Sequence, residues 1–385
     1  MDRIEQLERR YPTEPEFEWL MRRRAAERLN GPYVRPSLNE LAGMLREYFR
    51  ATVDPSCEVL DPHWFVGGAS KVQVGFTLEQ HDHSTRRLVM RMEPGESLNV
   101  TSRTREFELM NALRGTVPVP NAPWVDATGD WFPQPVLITE FCAGVAKPSR
   151  SASGQVTGLG TRFGPDLAAD LAPQFMSHLA AIHTFDHSAS SLPSFARPHD
   201  GAHEAALWQL NRALRVWEED RDETIPLMEV AARWLRDHVP SVDHVSVVHG
   251  DFRSGNFLFD EDSRQITAWL DWERGHLGDR HRDLAWTIQA PFGHYDEEGD
   301  YLVCGLVKKR EFFDWYTDVS GLSVDEERLR YYTILNCFQI IAALHGTGFQ
   351  VVKHGKSHQD ILLARLKGEV GIIAEDLRRE LLEVL

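Results

Sequence analysis

Between Val247 and Trp286 the chain sets His249, Asp251, Asn256, Asp271 and Asp283 among short apolar runs. Two free carboxylates, an amide oxygen and a supporting histidine and aspartate are what phosphoryl transfer asks of a protein, which there mostly positions reactants and neutralises charge. One Asp accepts the proton of an attacking hydroxyl; an Asn and a second Asp hold Mg²⁺ against nucleotide phosphates. Asp251 suits the first role, and Asn256 and Asp271 suit the second. An isolated Asp or Asn in a turn is ordinarily turn chemistry. Their order and strand context give them weight as a set.

The elements that must position them are legible. Residues 244–248 (HVSVV), 256–260 (NFLFD) and 266–270 (ITAWL) are short, rich in β-branched and aromatic residues, and bounded by Gly, Asp, Ser and Arg. A loop therefore leaves the first strand at His249-Gly250-Asp251 and re-enters structure near Asn256. The chain turns through 260–263 (DEDS) and ends its next strand at Asp271. This brings the acids and the amide to adjacent strand ends.

His249-Gly250-Asp251, Asn256, Asp271, Gly278-Asp279 and Asp283-Leu284-Ala285, in that order, resemble the signature of the aminoglycoside phosphotransferases and their choline kinase, macrolide phosphotransferase and homoserine kinase relatives. That signature runs HGDxxxxN, an Asp closing the next hairpin, then GDxxxDLA. The resemblance extends from about residue 60 to residue 290. It implies an α+β, protein-kinase-like fold of two lobes: a small five-stranded antiparallel β lobe with one key helix, and a larger, mainly helical C-terminal lobe. It also implies that His249 and Asp283 hold the loop around the base Asp251, with His249 not itself a base. The family commonly has Pro after Asp279; Arg280 stands there, so this turn is expected to differ.

The same resemblance implies a nucleotide site. Gly67, Gly68, Ser70 and Lys71 lie between two predicted strands, where glycines let backbone amides approach phosphate and Ser70 or Lys71 add contacts. The third strand, LVMRME, should carry a phosphate-binding cation paired to a Glu on the next helix. The family usually has Lys; Arg91 stands here, as in a branch that includes macrolide phosphotransferases and acyl-CoA-dehydrogenase-linked kinase domains. Arginine stays charged and binds phosphate in a fork. Glu106 is the expected partner, with Glu108 on another side of the helix. The backbone of Glu140 and Cys142 would meet the base, and Val89, Leu258 and Leu270 would sandwich it unless they are plain core.

The remaining chain fits two lobes. Residues 1–55 read as a helical lead-in packing on the first lobe, with Ser37-Leu38-Asn39-Glu40 a capping box. Residues 56–142 read as the nucleotide-binding lobe, with strands in 57–92, a helix in 101–115 and two further strands. Residues 143–385 read as the C-terminal lobe, with a Ser- and Gly-rich loop at 146–165 and helices from 165, 203–220, 224–238 and beyond 286. His183, at a helix end, is expected to be structural. HGKS (354–357) lacks the Gly that a phosphate loop needs at Gln350, His81-Asp82-His83 sits in a turn, and His203-Glu204 lacks the second His of a zinc helix.

Length is ample at 385 residues, and 42% hydrophobic with 26% charged is ordinary for a globular protein. A net charge of −16 argues against nucleic acid as partner. Cys57, Cys142, Cys304 and Cys337 are scattered, as free thiols in a reducing compartment would be. No apolar leader opens the sequence, and residues 331–346 read as a buried helix, so no membrane partner is expected and the cytoplasm is the expected location.

These readings imply a Mg²⁺-dependent O-phosphotransferase moving the γ-phosphoryl of ATP or GTP to a small-molecule hydroxyl. Acidic runs at 218–223 and 295–300 would suit a cationic, aminoglycoside-like acceptor, though solvated helix ends explain them equally. A hydroxyacyl or choline-like metabolite competes within the same class. A catalytically silent nucleotide-binding regulator is motivated by Arg91 and Arg280. A hydrolase lacks a nucleophile elbow.

Overall fold

The computed structural model describes residues 3–65, 71–151 and 158–385. Two charged helices, α1 (Arg3–Arg10) and α2 (Pro15–Leu29), precede α3 (Leu38–Thr52). The capping box starts α3 as expected: the Glu40 N–H donates to Ser37 Oγ at 3.3 Å, and Glu40 Oε2 accepts from the Ser37 N–H at 2.7 Å. Five antiparallel strands follow, β1 (Glu58–Trp64), β2 (Val72–Glu79), β3 (Thr85–Met92), β4 (Trp124–Asp126) and β5 (Val136–Glu140), in the spatial order β1-β2-β3-β5-β4. Helix α4 (Arg103–Leu113) lies between β3 and β4 in sequence.

Strand alternation explains how this sheet builds both a core and a site. On β3, Leu88, Met90 and Met92 are buried, and they join Leu41, Leu45 and Phe49 of α3 in one apolar cluster. Each such side chain contributes roughly 1.5–3 kcal/mol on burial. Val89 and Arg91, one residue out of phase, take the opposite face. That face looks toward the second lobe, because Arg91 reaches Asp271 there.

The second lobe begins with α5 (Pro165–His183), α6 (Glu204–Asp220) and α7 (Pro226–Asp237). Four short strands then carry the motif stretch: β6 (Val245–Val248), β7 (Phe257–Asp260), β8 (Gln265–Trp269) and β9 (His276–Asp279). β7 pairs with β8 as a hairpin, and β6 pairs with β9, a strand that Gly275 and Gly278 hide from pattern reading. Helix α8 (His281–Thr287) follows. The chain after 286 is not helical throughout, since β10 (His294–Tyr295), β11 (Tyr301–Val303) and β12 (Val307–Lys308) form a small sheet whose strands are too short to show a period. The rest is helical: α9 (Lys309–Ser320), α10 (Glu326–Ile341), a π-helical turn at Ala342–Thr347, α11 (Gly348–Lys353), α12 (Asp360–Lys367) and α13 (Val370–Leu382). From Glu326 to Lys353 this is one helix long and apolar enough to cross a membrane by length and composition, but most of its apolar window is buried inside the fold.

The lead-in departs from expectation. Only α3 packs on the first sheet; Leu7 and Tyr11 of the α1 segment join Leu214, Trp217 and Trp234 in the second lobe. The reason is charge. Asp220, fully buried at the end of α6, accepts from Arg24 at 2.9 Å, Arg28 at 2.7 Å and Thr347 Oγ1 at 2.6 Å, and Arg28 also pairs with Glu96 of the first lobe. Lys356, from the HGKS run, is equally structural: its buried ammonium donates to the carbonyls of Glu27, Asn30 and Gly31 and caps the end of α2. Helix α2 thus braces both lobes.

Breaking a buried charge set by removing one partner leaves the other uncompensated, which costs about 3–5 kcal/mol. Asp220→Asn should lower the unfolding free energy by that amount, read as a lower urea midpoint at an unchanged denaturant slope. A loss below about 1 kcal/mol, the scale of a surface pair, would show that the brace is not a buried charge network in solution.

Candidate active site

The loop after β6 owes its shape to one carboxylate. Asp283, buried at the start of α8, accepts the His249 N–H on Oδ2 and the Gly250 N–H on Oδ1, both at 2.7 Å. Burial alone would raise its pKa, but His183 and His249 outweigh this and hold it low. His183 Nε2 lies 3.2 Å from the same carboxylate and its Nδ1 is 2.8 Å from the Tyr316 hydroxyl, so this histidine is structural. Gly250 sits at φ +80°, and a Cβ there would meet the Arg274 carbonyl at 2.7 Å. Only glycine fits.

His249 is likewise a loop holder. Its Nε2 lies 3.0 Å from the Leu270 carbonyl and its Nδ1 accepts the Asp251 N–H at 3.2 Å. Burial keeps the ring neutral by pushing its pKa down. Both nitrogens are occupied, which leaves Asp251 as the group able to take a proton. Asp251 Oδ1 accepts from Trp286 Nε1 at 2.6 Å and Arg253 Nε at 2.9 Å, and Oδ2 accepts from Asn256 Nδ2 at 2.7 Å. Trp286 and Arg253 were not singled out from sequence. The DLAW run and the residue two after Asp251 were the available signals.

Asn256 directs its Nδ2 to Asp251, which leaves Oδ1 as its ligand atom. Asp271 ends the β7–β8 hairpin in the left-handed region at φ 66°, a conformation Asp tolerates. Its carboxylate is about one-third exposed, and Arg91 Nη2 donates to its Oδ1 at 2.6 Å, leaving Oδ2. Burial would raise the Asp271 pKa, but Arg91 lowers it on balance, so the carboxylate stays charged. Asn256 Oδ1 and Asp271 Oδ2 are the oxygens able to hold a divalent cation, and hard oxygen donors are what Mg²⁺ takes.

Arg91 also donates to Glu106, which is fully buried, while Glu108 bonds Ser194 on another side of α4. The expected pair is therefore formed. Lys71 is a correction. It was expected at the phosphates, but its buried ammonium reaches Glu93 at 2.7 Å and Glu273 at 3.2 Å, with Ser97 and Thr101 each at 3.2 Å. A desolvated ammonium needs such compensation. Glu93, Arg103 and Glu273 complete this cluster, Arg103 pairing with both Glu93 and Glu106. Sequence reasoning missed all three; Arg103 stands one turn before Glu106, and Glu93 directly follows β3.

Gly67, Gly68 and Ser70 lie outside the described residues, as do 152–157 of the Ser- and Gly-rich loop. At the interlobe segment the Glu140 N–H is already bonded to the Asn121 carbonyl at 2.8 Å, and its carboxylate holds Arg86 at 2.6 Å. The Cys142 N–H has no backbone partner among the described residues. Val89, Leu258 and Leu270 are half-buried and stand outside the buried core clusters, so packing alone does not account for them. The four cysteines are free, three buried and Cys142 partly so. At Asp279 the turn is built locally: its Oδ1 accepts the His281 N–H at 3.0 Å, and buried Arg280 reaches Asp243 at 2.7 Å. Arg280 thus clasps the fold and does not mark a damaged site.

A carboxylate held between an indole, a guanidinium and an amide, beside an arginine that ties a small β lobe to a helical lobe, is the arrangement of a kinase-like phosphotransferase. The sequence profile of the phosphotransferase enzyme family (APH) matches residues 68–303, more than half of the chain, and the chain belongs to that family. It is 27% identical over 275 residues to mouse acyl-CoA dehydrogenase family member 10, a match that covers 68% of this chain but 24% of the mouse protein. Among solved structures it is similar to a provisionally assigned aminoglycoside phosphotransferase from Ralstonia eutropha, with TM-score 0.64, 23% identity, and coverage of 88% of this chain and 97% of that one. It is also similar to the aminoglycoside phosphotransferase APH(2")-IIIa in its GDP and kanamycin complex, with TM-score 0.52, 14% identity, and coverage of 89% and 100%. At these identities the likeness to solved structures shows the fold.

Lys71 and Arg103 also shape the acid stability of the site. Burial would raise the Glu93 pKa, but these cations outweigh it and bring it from 4.5 to about 2. A depressed folded-state pKa contributes stability above the unfolded value and loses it as pH falls through the folded one. Stability should therefore drop as pH falls from 4.5 toward 2, and Glu93→Gln should flatten that part of the profile while costing about 3 kcal/mol at pH 7. Urea unfolding at a series of pH values checks this. An acid limb unchanged in the variant would remove Glu93 as its source.

Proposed function

We propose that this protein is a Mg²⁺-dependent phosphotransferase that moves the γ-phosphoryl group of ATP or GTP to a hydroxyl of a small molecule. The observation that carries it is Asp251. Its carboxylate is oriented on both oxygens, at the end of β6, in the same cleft as Asn256, Asp271 and the Arg91–Glu106 pair. Family membership and the fold of a GDP-bound neighbour support a nucleotide as phosphoryl donor.

In this reading the acceptor hydroxyl gives its proton to Asp251 as its oxygen bonds to the γ-phosphorus, and the nucleoside diphosphate departs with the electrons of the broken P–O bond. Trp286, Arg253 and Asn256 orient the carboxylate and fix which lone pair faces the acceptor. Arg91, positioned by buried Glu106, turns its second nitrogen from Asp271 to the donor phosphates. Asn256 and Asp271 would hold Mg²⁺, which when bound neutralises phosphate charge. The half-buried Val89, Leu258 and Leu270 would flank the base, and Cys142 would offer its N–H. Four free thiols fit a reducing compartment, and we place the protein in the cytoplasm.

The test is ADP release from Mg-ATP across hydroxyl compounds, with wild type and Asp251→Asn side by side. Loss of a positioned base should lower acceptor-stimulated turnover by about 10²–10⁴-fold with nucleotide binding retained. Equal turnover in the two proteins would remove Asp251 as the base. Nucleotide binding without turnover on any acceptor would leave a binding protein in place of a transferase.

A further inference from the structure

The acidic runs that would suit a cationic acceptor are already paired within the fold. Glu219 and Asp220 hold Arg24, Glu223 reaches His345, and Lys308 sits 2.8 Å from both Glu298 and Asp300. The surplus charge next to the base has the opposite sign. Arg274 lies over the Trp286 ring at 4.3 Å, and that same indole donates to Asp251 Oδ1. Among the described residues no carboxylate lies within ion-pair reach of the Arg274 guanidinium, nor does it hydrogen-bond to any group.

Two neighbours share this condition. Arg212, on α6, lies over Phe17 at 4.5 Å and donates to the Val100 carbonyl. Arg282, on α8, is held by two neutral amides, Gln209 and Gln339, and its buried Nε has no partner. Neither has a carboxylate partner among the described residues. Both act electrostatically on buried His276, whose Nε2 is also without a hydrogen bond among the described residues. Burial, with repulsion from Arg274 and Arg212, pulls Arg282 well below its ordinary range; burial outweighs Glu14 and, with repulsion from Arg105 and Arg274, brings Arg212 to about 10. Asp251, Glu273 and Asp283 act on Arg274, Glu14 on Arg212 and Asp283 on Arg282 only at longer range, and burying three cations with no carboxylate in direct contact is costly. A chain with 58 acidic residues could readily have supplied one.

We propose that Arg274, with Arg212 and Arg282 behind it, forms an anion-binding subsite beside Asp251, so that the acceptor is a hydroxyl compound carrying a carboxylate or phosphate group. This deepens the phosphotransferase reading and rests on it. The hydroxyl would face Asp251 while the anionic end meets the Arg274 fork. Arginine suits planar, bidentate recognition of either anion. A polyamine would meet like charge there, which costs affinity.

Binding without turnover tests it separately from transfer. Wild type loaded with Mg-ADP is titrated calorimetrically with 3-hydroxybutyrate and its methyl ester, with glycerol 3-phosphate and glycerol, and with kanamycin. At least one charged probe should bind, its neutral counterpart should not, and the pair that discriminates tells carboxylate from phosphate. Arg274→Gln should weaken that probe by roughly 10- to 100-fold, and Arg274→Lys by less, because the charge survives without the fork. Arg212→Gln serves as the second variant should Arg274→Gln unfold. Equal binding of charged and neutral probes, tighter binding of kanamycin than of either anion, or no binding of any anion would each overturn the subsite. A protein that binds the anions yet releases no ADP would keep the subsite and sink the transferase reading.

Discussion

The structure depends on one guanidinium. Arg91 leaves the site face of β3, gives one nitrogen to Glu106 on α4 and the other to Asp271 at the end of the β7–β8 hairpin. These contacts join the sheet, its helix and the second lobe at the point where the phosphates are proposed to lie. Glu106 is fully buried and Arg91 nearly so, so losing either weakens the compensation of the other, while Asp271 at the cleft edge keeps contact with solvent. An arginine can do this where a lysine would reach a single partner well, because its nitrogens diverge in a plane.

Around that contact the two lobes solve different electrostatic problems. In the first, Lys71, Glu93, Arg103 and Glu106 interlock with Glu273 of the second, so buried charge of both signs nearly cancels. In the second, Asp283 alone shapes the loop, accepting two successive backbone N–H groups and placing Asp251 without touching it. Beyond Asp251 the pairing is looser, and among the described residues Arg274, Arg212 and Arg282 have no carboxylate in direct contact. In the proposed reading the directly paired charges lie on the donor side of the cleft and the arginines without a carboxylate contact on the acceptor side.

Helix α2 adds a constraint outside the cleft. Arg28 touches Glu96 of the first lobe and Asp220 of the second, and Lys356 closes the helix end. Opening the cleft by rigid-body motion would strain these buried contacts, so the brace limits how far the lobes can part.

Sequence alone determined the motif order, the β lobe with one inserted helix and the capping box of α3, because local periods and fixed spacings encode them, and the family resemblance implied the Arg91–Glu106 pairing. His249 and Asp283 were legible as loop holders through that same resemblance. Other features were decided by tertiary structure. Lys71 sits next to a glycine pair in sequence, and only the fold brings Glu93 and Glu273 to its ammonium. Leu7 and Tyr11 carry no mark of which lobe they join, and β9 is hidden by its glycines. Arg212, Arg274 and Arg282 are scattered over 71 positions among 42 basic residues, and no spacing distinguishes them. Spacing records what lies along one element, whereas the lack of a counter-ion is a property of everything packed around a charge, and that exists only once the chain has folded.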